Sequence, residues 1–101
     1  LVKMKDYPYA EKIFKGILKE YPLHKEALVN LGYLSILNKS FSIAENYLKQ
    51  AIALDPDYLQ AYENLVLLAQ MQNKIEQVKA YLNKILEIAP GHKEKQLLEK
   101  L

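Results

Sequence analysis

The chain has 101 residues, half of them hydrophobic, and a net charge of +2, which fits one domain with a modest core. It has no cysteine, which excludes a disulfide framework, a thiolate nucleophile and a cysteine metal site. All 14 basic residues are lysine; without the planar arginine fork, so small a positive balance gives no reason to expect a nucleic-acid partner.

Leu1 to Lys5 reads as the last turn of a helix already under way, so the chain is expected to be a piece of a longer protein. No signal peptide is visible, and no apolar run approaches the ~20 residues that span a bilayer. The first full helix is expected over about 7–20. Asp6 is placed to cap it, Pro8 falls in its first turn, and Ala10, Ile13, Phe14, Ile17 and Leu18 recur at helical spacing. Tyr21-Pro22 ends it, because the residue before proline is pushed out of the helical region.

A second helix is expected over about 24–37, with Ala27, Leu28, Leu31, Leu34 and Ser35 inside. After the polar turn Asn38-Lys39-Ser40, the third should run over 41–54, with Ser40 or Ser42 as cap and Ala44, Leu48, Ala51 and Ile52 inside. Asp55-Pro56-Asp57 then breaks the helix, and Asp57 is placed to cap the next. The fourth, over 58–71, carries Ala61, Tyr62, Leu65 and Leu68 inside; the fifth, over 75–88, carries Val78, Leu82, Ile85 and Leu86. Ala89-Pro90-Gly91 stops the fifth, and a last helix is expected over about 92–101. Its apolar stripe, Leu97, Leu98 and Leu101, is turned by about 100° from the earlier register, as an end-cap would be.

Shifted by about 34 residues, the chain largely repeats. Pro22, Pro56 and Pro90 coincide, as do Ala10, Ala44 and Val78, then Phe14, Leu48 and Leu82, then Ile17, Ala51 and Ile85. A fixed period of this length with two helices per unit means a helical solenoid. The pattern resembles the tetratricopeptide repeat, whose landmarks fall here on Leu28, Leu31, Gly32, Ser35, Ala44, Leu48, Ala51 and Pro56. In the next unit they fall on Tyr62, Leu65, Val66, Ala69, Val78, Leu82, Ile85 and Pro90. The departures are Val66 for the glycine, Ser35 and Ala69 for the tyrosine, and Lys39 and Asn73 at the turn place where the family favours glycine. The resemblance implies an all-α fold without strands, a right-handed α-solenoid of antiparallel helix pairs. The expected division is a partial repeat over 1–22, repeats over 23–56 and 57–90, and a capping helix over 91–101.

No catalytic, cofactor or metal constellation is read from the sequence. His24 and His92 occupy equivalent places two repeats apart, too distant to share a metal. Asp55 and Asp57 flank a turn and suit capping; the three glycines are scattered and form no phosphate loop. The eight tyrosines suit packing or edge roles better than a base-stacking platform. Function is therefore expected to come from shape. The resemblance implies a concave groove lined by Val29, Asn30, Tyr33 and Leu37 from one unit and Glu63, Asn64, Leu67 and Met71 from the next, with Lys3 at the open end. Asn30 and Asn64 suit a ladder that pairs with successive peptide groups, since each amide both donates and accepts; bonds to neighbouring helices are the competing use. The cations with which carboxylate-clamp relatives hold an acidic C-terminus are missing: Glu26, Gln60, Val29 and Glu63 stand in those places.

The expected function is a non-catalytic protein-interaction scaffold that binds an extended or helical peptide with apolar side chains. The alternative is self-association as an assembly module, a homo-oligomer formed through the uncovered N-terminal end. Neither nucleic acid nor a membrane span is expected. The compartment stays open, with the cytoplasm slightly favoured and the periplasm in play if a longer parent chain carries a signal peptide.

Overall fold

The computed structural model describes residues 6–93 and 95–100, with backbone alone for 96 and 98. The described residues form six helices: α1 (Tyr7–Glu20), α2 (Lys25–Leu37), α3 (Phe41–Leu54), α4 (Leu59–Met71), α5 (Ile75–Ile88) and α6 (Lys95–Glu99). No strand occurs among the described residues. The expected features at Leu1–Lys5, Leu101 and the side chain of Leu98 lie outside what is described.

Each helix packs against the next, and α2 also packs directly against α4. Two recurring joints set this arrangement. The first is a proline turn between successive helix pairs. The N–H of His24 donates to Tyr21 O at 3.1 Å, that of Tyr58 to Asp55 O at 3.0 Å, and that of His92 to Ala89 O at 2.9 Å. In all three the proline takes the second place of the turn, where its fixed φ is favoured.

The second joint links the helices within a pair. Lys39 and Asn73 adopt the left-handed conformation, with φ of 61° and 57°. Beyond each, a six-to-one bond closes the helix end: Ser40 N–H to Ser35 O at 2.8 Å and Lys74 N–H to Ala69 O at 2.9 Å. This is the hydrogen-bond pattern of a glycine C-cap, formed here without glycine.

Burial follows the repeat. Ala44, Leu48 and Ala51 of α3 are fully buried, and Val78, Leu82 and Ile85 of α5 are their counterparts. Gly32 shows why small residues matter here: a Cβ on it would stand 2.7 Å from Leu48 Cδ2 and 2.8 Å from Cγ. At the place of Gly32, α4 carries Val66, which is buried in a second cluster with Ala69, Val78, Leu82 and Ile85.

The α1 face of Ala10, Ile13, Phe14, Ile17 and Leu18 contains no fully buried residue, because α1 packs against α2 alone among the described elements. Three local expectations are corrected. Asp6 and Ser40 hold N-cap positions without a side-chain cap bond. Asp57 caps nothing; Tyr58 is the N-cap of α4, and the Asp57 N–H donates to Asp55 Oδ1 at 3.3 Å. Finally, α6 begins at Lys95 rather than His92, because residues 91–93 are spent in turn and His92 points its ring at α4.

Candidate functional site

The direct contact between α2 and α4 makes one continuous side of the array from two equivalent helices. On α2, Asn30, Tyr33 and Leu37 follow at spacings of three and four; on α4, Asn64, Leu67 and Met71 do the same. Asn30 is exposed and Asn64 half-exposed. Tyr33 and Met71 keep 38% and 39% of their surface in solvent, a large fraction for apolar side chains. Leu67 is half-buried with its base on the core, and Leu37 is likewise half-buried.

Two of the expected groove residues are engaged elsewhere. Val29 is buried at 4% in the first core cluster and offers no side chain to a groove. It is covered because α2 has neighbours on three sides, α1, α3 and α4, and Tyr58 packs against the same cluster. One repeat further on, Glu63 and His92 hold the places of Val29 and Tyr58, and these two meet directly: His92 Nε2 and Glu63 Oε2 are 2.6 Å apart. Glu63 is therefore held, and its carboxylate fastens the turn after α5 to the α4 side of the array. His92 becomes part of that wall, a role its place at a helix entrance did not reveal.

A second polar junction ties α2 to the turn between α3 and α4. Lys25 Nζ donates to Asp55 Oδ2 at 2.6 Å and lies 4.7 Å from the centre of the Tyr58 ring. The hydrogen bond from Lys25 lowers the Asp55 carboxyl below its ordinary pKa, and the same bond raises that of Lys25. Burial raises the Tyr58 phenol. Further along, Lys84 sits 3.6 Å from Asp57 and 5.9 Å from the Tyr62 ring centre. The cations of both junctions already have carboxylate partners.

His24 accepts the Ala27 N–H on Nδ1 at 3.1 Å and is the N-cap of α2. Among the described residues no three His, Cys, Asp or Glu side chains converge as a metal site. No helix among the described residues is long and apolar enough to cross a membrane.

A family model of the tetratricopeptide repeat matches residues 37–101. The chain belongs to the tetratricopeptide repeat family. It is similar to human protein O-mannosyl-transferase TMTC3, at 33% identity over 85 residues, covering 84% of this chain and 9% of that protein. It is also similar to uncharacterized protein ycf37 of Cyanophora paradoxa, at 32% identity, covering 79% of this chain and 49% of that protein. The chain thus spans less than half the length of either curated relative. Among solved structures it superposes on the first tetratricopeptide repeat domain of Spaghetti (RPAP3), bound to the HSP90 peptide SRMEEVD. The TM-score is 0.85 at 24% identity, over 95% of this chain and 79% of that one. This likeness establishes the all-helical solenoid of antiparallel pairs.

Proposed function

We propose that this tetratricopeptide array is a non-catalytic recognition module whose α2–α4 side binds a peptide with apolar side chains, extended or helical. One observation carries the reading: equivalent rows on two touching helices each pair an asparagine with apolar side chains, and Tyr33 and Met71 remain open to solvent. Apolar anchors beside amides that both donate and accept suit a peptide backbone carrying hydrophobic residues. The repeats are assigned to 23–56 and 57–90, with the residues after 90 as the closing element.

The solved relative holds a peptide that ends in two glutamates, a valine and an aspartate. Here Glu63 is bonded to His92, and Lys25 and Lys84 are engaged with aspartates. Among the described residues an acidic tail would meet no free lysine on the Asn30/Asn64 rows, so discrimination against it belongs to the proposal. The test is fluorescence anisotropy with labelled SRMEEVD and with members of a library enriched in leucine and methionine. Selected apolar peptides should bind, and Asn30→Ala with Asn64→Ala should weaken them about tenfold or more, as loss of two hydrogen bonds does. Binding that survives both changes, or a preference for SRMEEVD, would refute the groove as drawn.

A second reading, self-association, is favoured by α1. Ala10, Phe14 and Ile17 stand where Ala44, Leu48 and Ala51 are fully buried one repeat later, yet none of them is buried. Tyr9 and Ile13 of the same helix are exposed. An apolar face of this kind favours association. Sedimentation over a hundredfold concentration range decides it, and a constant monomer mass would dismiss it.

A further inference from the structure

A hollow of about 170 Å³ opens on the outer side of α2, between α1 and α3. Those two helices both pack on α2 but do not pack on each other. The hollow lies about 100° around α2 from the Asn30 row, since Leu31, Leu34 and Ser35 line it. It is therefore separate from the peptide groove and does not depend on that reading.

Its origin is legible in the repeat pattern. After the leucine and glycine landmarks, here Leu31 and Gly32, the pattern skips two residues and places a tyrosine. This chain has Ser35 there. The missing ring leaves space beside α2, and Ile43 of α3, which lines that space, is 54% exposed. In the next repeat Ala69 holds the same place, but it is buried within the second core cluster. The hollow is thus the imprint of one side chain that the pattern calls for and the sequence omits.

We propose that this hollow is a binding site for a phenolic ring. Size is the first argument: about 150 Å³ is room enough for benzene, and this hollow, which is partly open and has Lys15, Asn38 and Ser40 among its lining, is slightly larger. The second is the lining. Leu31, Leu34 and Ile43 offer apolar contact, and the half-buried Tyr47 ring offers an aromatic wall.

The third argument is polarity at the ends, which selects phenol over benzene. Ser35 donates its hydroxyl proton to Leu31 O at 2.8 Å, so its oxygen keeps lone pairs for an incoming O–H. At the rim, Glu11 binds Lys15 at 2.7 Å and retains further acceptor capacity. The ring can belong to a free small molecule or to a tyrosine on a partner chain.

The test is a titration of isotope-labelled protein with p-cresol, read by NMR. Saturable shifts should appear at Leu31, Leu34 and Ile43 in the roughly millimolar range suited to so small a ligand, with Leu67 and Met71 unmoved. Toluene should bind several-fold more weakly. N-acetyl-tyrosinamide distinguishes the sources: binding comparable to p-cresol indicates a partner's tyrosine, and its exclusion indicates a free phenol. Ser35→Tyr should fill the space, raise Tm and abolish the p-cresol shifts. Ser35→Leu serves as the filling variant if the tyrosine variant does not fold. Non-saturating shifts in the natural sequence, shifts spread over the groove instead, or saturable shifts that survive in a folded filled variant would overturn the proposal.

Discussion

Gly32 and Gly16 both sit inside helices, and the same substitution at the two should act in opposite directions. Replacing an interior helix glycine by alanine gains about 0.8–1 kcal/mol of intrinsic helix propensity. At Gly16 nothing lies within 4 Å of the added Cβ, so that gain should appear in full. At Gly32 the Cβ would stand 2.7 Å and 2.8 Å from two carbons of Leu48, where ordinary carbon contacts are about 3.5–4.0 Å. Leu48 has to recede by roughly 0.7–1.3 Å, yet it is fully buried. Overpacking of that order costs about 1–3 kcal/mol. Subtracting the propensity gain leaves Gly32→Ala destabilising by about 1 kcal/mol, up to about 2. Urea unfolding followed by helical circular dichroism measures both variants. In a Leu48→Ala background the obstacle is gone, and Gly32→Ala should become stabilising. If Gly32→Ala stabilises the natural sequence as much as Gly16→Ala does, the close approach of α2 and α3 is wrong.

Leu48→Ala should cost about 2–5 kcal/mol in the same assay, whereas Phe14→Ala, one repeat earlier on the uncovered α1, should cost clearly less. Lys39→Gly should stabilise by up to about 1 kcal/mol, because it relieves a left-handed lysine at the expense of some chain entropy; Asn73→Gly should gain less, since asparagine tolerates that conformation better. For acid, the sign follows from Asp55: its folded pKa lies below the unfolded value, so its contribution is present above about pH 4 and is lost as pH falls through the folded value. Lys25 has the opposite sign. Its pKa is raised, so its contribution holds below about pH 10 and fades as pH rises through the folded value. Lys25→Met should flatten both limbs of a Tm-against-pH curve, and an unchanged curve would count against the junction.

The helices were legible because their ends are set by local chemistry. Proline and the polar turns place the limits of α1, α3 and α5 at the expected residues. For α2 and α4 the start falls one residue later, since His24 and Tyr58 serve as N-caps. Burial was less legible where a helix has more than one neighbour. A single apolar stripe was expected on α2, but Val29 and Ile36 are buried as well. The signal was present in its near-continuous apolar composition, which belongs to a helix covered on most sides. The Lys25–Asp55 and His92–Glu63 contacts join residues about one repeat apart. Nothing in helical periodicity announces such pairs; they follow from how the proline turns fold back on the preceding helix. The asparagine rows came from the repeat spacing together with the family resemblance, and a binding measurement is what decides their use.

Contact is uneven across the two sides of the array: α2 meets α4, while α1 and α3 stand apart. The touching pair forms a keel, and the outer ribs are joined only through it. The two asparagine rows therefore ride on helices that meet directly and are bridged a second time by α3, so their spacing is set by α3 as well as by the keel.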